Sequence, residues 1–149
     1  MRRFHHLGEE WEAEPTGTGH GVGSGHVPAI TSWGVMFRRV SKPDKGPYFG
    51  SISRPDVTQA SEEDLRKSLE DAITRAIFKA LEDPQWDWRT VDGLAEDTGL
   101  PSDHIRTALE SSSDDVIRSR APDSEGRVLY TTRRHYTKRR GFFDHLRST

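Results

Sequence analysis

The chain has 149 residues, of which 32% are apolar and 31% are charged, and it contains no cysteine. This length suits one ordinary domain or two very small ones. The aromatic residues, including four Trp, argue against a wholly disordered chain. The lack of cysteine excludes a disulfide framework, a thiolate zinc site and a cysteine nucleophile. There is no apolar run for a transmembrane helix and no apolar stretch after Met1 for a signal peptide, so we expect a cytoplasmic protein without membrane contacts.

Charge is distributed unevenly along the chain, although the net charge is only −2. Residues 1–60 carry a net charge of +1, residues 61–126 one of −9 and residues 127–149 one of +6. Basic clusters are typical of surfaces that contact nucleic acids or other anions. The basic C-terminus therefore indicates either an anionic partner or a segment that docks on the acidic middle of the chain.

The first part of the chain, predicted as one domain over residues 1–58, has the pattern of a small antiparallel sheet. Apolar residues alternate with others along Trp33, Val35 and Phe37, which share one face of a strand. The predicted strands are residues 3–7, 11–14, 33–38 and 48–52, with turns at 8–10 and 43–47 and a glycine-rich loop at 16–28. Because such a small sheet is marginal alone, we expect it to pack on the rest of the chain.

A long amphipathic helix is predicted over residues 62–82. Ser61 suits the N-cap, and three acidic residues suit the positive first turn. Apolar residues recur at helical spacing from Leu65 to Leu81 and form one continuous stripe, and Asp83-Pro84 ends the pattern. The stripe predicts a core helix that serves both the sheet and the elements that follow.

Shorter elements follow this helix, separated by glycine and proline. The predicted elements are a short strand at Trp86–Trp88 with both indoles on one side, helices over Val91–Asp97 and Pro101–Ser111, and a hairpin of strands 115–120 and 127–131. Gly99 suits a left-handed C-cap between the two helices, and Pro101 suits the first turn of the second.

This order of elements, over about residues 61–136, resembles the winged helix-turn-helix superfamily. The residues that carry the resemblance are WRTVDGLAEDTGLPSDHIRTAL, from Trp88 to Leu109, which are similar to the pattern T-V-x-x-L-A-x-x-T-G-L…I-x-x-A-L of many bacterial winged helices. Ala95 permits a close helix crossing, and Gly99 permits the turn between the helices.

The resemblance of residues 61–136, together with the strand pattern before them and the basic segment after them, predicts an α+β fold with three parts. A small N-terminal antiparallel sheet is followed by a winged helix-turn-helix domain at residues 59–136. Residues 137–149 then form a basic amphipathic C-terminal helix or tail.

In that superfamily the third helix enters the major groove of DNA, and the hairpin contacts the backbone or the minor groove. The resemblance therefore implies non-enzymatic binding of double-stranded DNA, as in a transcriptional regulator, with Arg106 as the strongest reader of guanine. Cations on the hairpin and tail would hold phosphates. In a homodimer, two third helices would lie about 34 Å apart. The implied DNA-binding residues are Ser102, His104, Arg106, Thr107, Arg118, Arg120, Arg127, Arg133, Arg134, Lys138, Arg139 and Arg140.

Acidic residues on the same elements favour a different partner. Asp103 and Glu110 lie on the presumed reading helix, and Asp123 and Glu125 lie at the tip of the hairpin. Carboxylates repel phosphates, and winged helices also serve as protein-interaction modules. The alternative is an adaptor that recruits a partner protein through the N-terminal sheet or through the acidic face of the winged helix. The sign of the charge around residues 102–111 separates the two hypotheses: positive potential from the hairpin and tail favours DNA, and a negative face favours a basic protein.

The glycine and histidine residues of the N-terminal part do not support a catalytic or metal site. The segment Gly19–Gly23 is superficially similar to phosphate-cradling loops, but those lie between a strand and a helix. His5 and His6 point to opposite faces of a strand, and no spacing groups them with His20 and His26 into a zinc site. We expect no enzyme activity, no cofactor and no bound metal.

Overall fold

The computed structural model describes residues 1–21 and 30–147, with the side chains of residues 1–17 and 32–141. The fold is α+β, as predicted. The elements are β1 (Arg2–His6), β2 (Glu9–Gly21), β3 (Ile30–Arg39), β4 (Tyr48–Ile52), a 3₁₀ turn (Val57–Gln59), α1 (Glu62–Leu81), α2 (Val91–Thr98), α3 (Ser102–Ser111), β5 (Val116–Arg118), β6 (Tyr130–Thr132) and α4 (Arg133–Arg147). The chain forms two compact units, Met1–Thr74 and Arg75–Thr149, which divide within α1. The predicted domain boundaries at residues 58 and 136 stay predictions.

The first unit is built on a four-stranded antiparallel sheet in the order β1-β2-β3-β4. Its first hairpin pairs His6 with Glu9 around a two-residue turn, Leu7-Gly8. Both turn residues have positive φ, 54° and 73°, as tight hairpin turns require. The prediction of a three-residue turn at 8–10 was wrong, because Glu9 and Glu10 already belong to β2.

The glycine-rich segment is partly strand. β2 extends to Gly21, and Gly19 pairs with Trp33 of β3 after a shift of register that begins at Pro15. The predicted loop at 16–28 was therefore wrong for residues 16–21, because β2 runs on to Gly21 and its pairing with β3 resumes at Gly19. Residues 22–28 of that prediction, with His26, lie outside the described part, as does the side chain of His20.

One face of the sheet and one stripe of α1 form the core of the first unit. Phe4, Trp11, Val35 and Phe37 are buried from the sheet, and Leu65, Leu69 and Ile73 are buried from the helix. Three polar contacts at the edge of this core hold α1 against the sheet, and each joins two residues of the first unit. The Ser68 hydroxyl of α1 donates to the carbonyl of Ser51 at 2.8 Å, the Arg66 guanidinium donates to the carbonyl of His5 at 2.9 Å, and His6 pairs with Glu70.

A fully buried arginine also lies in this core. The Arg39 side chain has no exposed area, and its guanidinium carbon lies 5.5 Å from the ring centroid of Trp11 and 6.0 Å from that of Tyr48. The carboxylate of Glu9 lies 3.6 Å from Arg39 Nη1 and balances the charge. Burial raises the pKa of the Tyr48 phenol, against the opposing effect of Arg39. The alternation along Trp33, Val35 and Phe37 places Arg39, rather than Arg38, on the same face of β3, but no local pattern indicates that a charged residue is buried there.

The second unit begins with the last turns of α1 and continues with α2 and α3. The Thr90 side chain accepts a hydrogen bond from the Gly93 amide at 3.0 Å and caps α2. Gly99 ends α2 in the left-handed conformation, with φ of 69°, as predicted. Pro101 is the N-cap of α3 rather than its first helical residue. Only two residues, Leu100 and Pro101, then separate the C-cap of α2 from α3.

The hairpin β5–β6 closes the second unit. Val116 pairs with Thr132 and Arg118 with Tyr130, so the strands are shorter than predicted. Arg89 adds one more antiparallel bridge on Tyr130, with both backbone hydrogen bonds at 2.8 Å. The predicted strand Trp86–Trp88 was wrong: Asp83 and Pro84 open a turn in which the Trp86 amide donates to the Asp83 carbonyl, so only Arg89 reaches β6.

Helix α4 follows β6 directly. The Thr132 hydroxyl accepts a hydrogen bond from the His135 amide at 3.0 Å, which is the spacing of an N-cap. His135 is buried, and one of its ring nitrogens lies 2.8 Å from the Trp86 carbonyl oxygen. These contacts join the start of α4 to the turn after α1.

Candidate interaction surface of the second unit

The core contacts of α3 decide which of its side chains are available to a partner. Ile105 and Leu109 are buried against the rest of the unit. Arg106 and Thr107, which lie between them, and Glu110, which follows Leu109, are exposed, because these positions turn away from the face that Ile105 and Leu109 share. Ser102 and His104, which the resemblance also implied as DNA contacts, are half-buried.

The predicted guanine reader is engaged by a neighbour on its own helix. Arg106 Nη1 lies 2.8 Å from the carboxylate of Asp103, one turn earlier. The Thr107 hydroxyl donates to the Asp103 carbonyl at 2.9 Å. An exposed pair of this kind is worth only about 0–1 kcal/mol, so it can open for a partner, but it cancels the positive charge of Arg106.

The turn of the hairpin is held by Asp123. Its carboxylate accepts from the backbone amides of Glu125 and Arg127, at 2.9 and 2.8 Å, and from Arg127 Nε at 2.8 Å. The amide of Arg127 is the largest cause that lowers the pKa of Asp123. Arg127 also pairs with Glu125 at 3.2 Å, so this predicted phosphate contact is neutralised by two carboxylates.

Arg118 and Arg120 lie on and just beyond β5, and both are exposed. Neither makes an ion pair with any residue that the structure describes. They are the cations of the hairpin most accessible to an anionic partner.

The cations of α4 begin next to the base of the hairpin, the end at which β6 leads into α4. The register pairs Val116 with Thr132 at the base of the hairpin, whereas Asp123 and Arg127 close the turn at its tip. Arg127 therefore lies near the tip of the hairpin, and the cations of α4 follow its base. Arg118, which pairs with Tyr130, lies only two residues from the base.

Several of these α4 cations are engaged in internal contacts. Arg133 Nε donates to the Asp114 carbonyl at 2.6 Å, Arg134 pairs with Glu82 at 2.6 Å and Arg139 pairs with Asp87 at 3.2 Å. Lys138 and Arg140 are exposed and have no ion pair among the described residues.

The exposed surface of α2 and α3 is acidic. Arg106 is the single cation of these two helices, which carry five exposed carboxylates: Asp92, Glu96, Asp97, Asp103 and Glu110. We call these five residues and Arg106 the α2–α3 acidic surface. Within residues 102–111, two carboxylates stand against one guanidinium, so the formal charge of this segment is negative.

Sequence reasoning missed the role of Arg89. This arginine is 7% exposed. It pairs with Asp97 and donates to the carbonyls of Ala80 and Gly93, both at 3.3 Å. Its guanidinium carbon lies 5.5 Å from the ring centroid of Trp86. No periodic pattern marks a single buried arginine beside a turn, whereas the i, i+3 spacing of Asp103 and Arg106 was visible in the sequence.

The described residues contain no group of three His, Asp or Glu side chains placed to hold a metal ion. No helix in the same part of the chain combines the length and the apolar character needed to cross a bilayer. Comparison with known proteins gives no match: no protein-family model, no curated protein and no solved structure is significantly similar to this chain.

Proposed function

We propose that the second unit is a winged-helix module that binds a basic segment of a partner protein through the α2–α3 acidic surface. One observation carries this proposal: five exposed carboxylates lie on these two helices, and the single arginine among them is itself paired with Asp103. Charge complementarity of this kind gives speed and specificity to protein association. We expect this adaptor to act in the cytoplasm.

The topology supports a winged-helix assignment. The order of α1, α2, α3 and the hairpin, with the bridge at Arg89 beside β6, is the order that the superfamily resemblance implies. In this arrangement the core side of α3 is fixed by Ile105 and Leu109, so its outer side is presented to a partner without rearrangement.

The test is a fluorescence-anisotropy titration of the whole protein with a dye-labelled, arginine-rich peptide. The variant Asp103→Asn combined with Glu110→Gln removes two carboxylates from the acidic surface, and we expect about fivefold weaker binding. The matched control is Asp44→Asn with Glu63→Gln, which removes two exposed carboxylates of the first unit. Equal affinity of the two double variants would contradict the proposal.

Double-stranded DNA is the second candidate, and the topology together with the exposed Arg118 and Arg120 favours it. In this case Arg106 leaves Asp103 and binds the edge of a base, and Ser102, His104 and Thr107 make the neighbouring contacts. In a homodimer, the two α3 helices lie about 34 Å apart, one turn of the DNA helix. The same variant, Asp103→Asn with Glu110→Gln, should then strengthen binding to a duplex, because it removes repulsion from phosphates. Replacement of Arg118 and Arg120 by Ala should weaken it. The two functions thus predict opposite signs for one variant.

A further inference from the structure

We propose that an open cleft of the second unit binds an arginine side chain of the basic partner. This inference rests on the proposed function and names the chemical group that the partner presents. The cleft has a volume of about 550 Å³ and is lined by the segment before α2, by α2 and by the hairpin turn. We call it the tryptophan cleft; the residues that carry the argument are Trp86, Trp88, Asp92, Glu96, Asp97 and Asp123.

The charge of the tryptophan cleft favours a cation. Four carboxylates line it together with two guanidiniums, those of Arg89 and Arg127. Both guanidiniums are engaged internally, Arg89 by Asp97 and Arg127 by Asp123. The formal charge of these six side chains is therefore −2, which repels a phosphate and attracts a cation.

Asp92 is the carboxylate best placed to meet a partner. It lies in the first turn of α2, is exposed, and forms no ion pair with another described residue. Asp92 interacts electrostatically with Arg127, which also lines the cleft, but a partner cation does not have to break an ion pair to reach this carboxylate. Asp97 adds a second accessible group, because 54% of its side chain remains exposed although it pairs with Arg89.

Trp86 supplies the aromatic surface of the cleft. It is 44% exposed, and the guanidinium carbon of Arg89 lies 5.5 Å from its ring centroid. The protein thus already contains one guanidinium–indole contact at this ring, and a partner arginine would add a second on the exposed part. Such contacts strengthen binding, and more so where water is excluded.

Trp88 forms a packed wall of the cleft. Trp88 is half-buried, and its ring meets that of Tyr136 edge-on, with 6.0 Å between the centroids. A wall that is already packed loses little conformational freedom when a ligand binds, which favours affinity.

The combination of a flat ring and nearby carboxylates selects arginine over lysine. A guanidinium is planar, stacks on an aromatic face and donates hydrogen bonds in a fork that matches a carboxylate. An ammonium group is more strongly hydrated and offers no flat surface. We therefore expect an arginine peptide to bind more tightly than the same peptide with lysine.

The experiment compares variants of the whole protein by anisotropy, with a dye-labelled peptide that contains arginines and with its lysine counterpart. Trp86→Ala should weaken arginine-peptide binding about tenfold, and Asp92→Asn about threefold. The lysine peptide should bind the wild-type protein several-fold more weakly. The matched controls are Phe49→Ala, an aromatic residue of the first unit that is 57% exposed, and Glu63→Gln, and both should bind as the wild type does.

The outcomes distinguish a failure of the cleft proposal from a failure of the proposed function. If the wild-type protein binds neither peptide, the proposed function fails and the cleft fails with it. If the peptide binds but Trp86→Ala and Asp92→Asn keep wild-type affinity, the cleft is overturned while the acidic surface stands. If Trp86→Ala does not fold, the cleft proposal is tested by Asp92→Asn and by the preference for arginine over lysine. Asp92 is exposed, so its substitution leaves the core intact.

Discussion

At Gly50 of β4, helix α1 comes so close to the sheet that a side chain has no room. A Cβ atom at this position would lie 2.5 Å from the Ser68 hydroxyl oxygen, 3.0 Å from the Ser68 carbonyl oxygen and 3.1 Å from a ring carbon of Phe37. Two of these neighbours are a backbone atom and a buried ring, which cannot rotate away. The strand position is therefore restricted to glycine by packing rather than by its backbone conformation.

We predict that Gly50→Ala lowers the free energy of unfolding by about 1–3 kcal/mol, the usual cost of overpacking. Urea denaturation followed by tryptophan fluorescence measures this change. The control is Gly141→Ala in α4, where nothing lies within 4 Å of the added Cβ, so helix propensity should leave stability unchanged or slightly raised. A Gly50→Ala protein as stable as the wild type would contradict the close packing.

The pH dependence of the hairpin turn should follow Asp123. Hydrogen bonds from the backbone amide of Arg127 first, and then from its side chain and the Glu125 amide, lower the pKa of this carboxyl below its ordinary value of 3.8. Because the folded pKa lies below the unfolded one, the stabilisation is fully present above the unfolded pKa and is lost as the pH falls through the folded pKa.

We therefore predict that the turn keeps its structure from neutral pH down to about pH 4 and loosens only in more acidic solution. NMR titration of the Arg127 amide measures this transition. The variant Asp123→Asn should remove it. A carboxyl of Asp123 that titrates at or above its ordinary pKa would show that these hydrogen bonds do not form in solution.

At the scale of elements, the link between α2 and α3 is defined by its caps. Thr90 caps the start of α2, and Gly99 ends it at a φ of 69°. A residue with a Cβ in this left-handed conformation costs about 1–2 kcal/mol, and asparagine tolerates it better than alanine. Both signals were readable in the sequence, which is why these helix boundaries were predicted closely.

We predict that Gly99→Ala lowers the free energy of unfolding by about 1 kcal/mol and that Gly99→Asn lowers it by less. Thermal denaturation of the three proteins provides the comparison. If alanine and asparagine were equally tolerated, the left-handed cap would not be the reason for glycine at this position.

Elements whose position depends on distant residues were harder to predict. The period of two along Trp33, Val35 and Phe37 identified β3, and the apolar stripe identified α1. The segment at Trp86 was interpreted as a strand because two indoles alternate there. Its actual course follows the turn that Asp83 opens and the bridge from Arg89 to Tyr130. Neither contact leaves a local pattern in the sequence.

Across the whole molecule, the charged residues can be counted from the sequence. Which of them remain available to a partner cannot be predicted, because that depends on ion pairs formed in the fold. Arg134 is neutralised by Glu82, 52 residues away, and Arg139 by Asp87. Such long-range pairs follow from the fold alone. They neutralise part of the basic C-terminus, while the carboxylates of α2 and α3 remain exposed, and this difference is why we propose a basic protein rather than DNA as the partner.

The most direct test of this account is a pair of anisotropy titrations of the wild-type protein at low salt, one with a labelled arginine-rich peptide and one with a labelled DNA duplex of random sequence. We predict saturable binding of the peptide and little binding of the duplex, because the exposed carboxylates repel phosphates. Tight binding of the duplex that weakens steeply with salt, with no binding of the peptide, would contradict it.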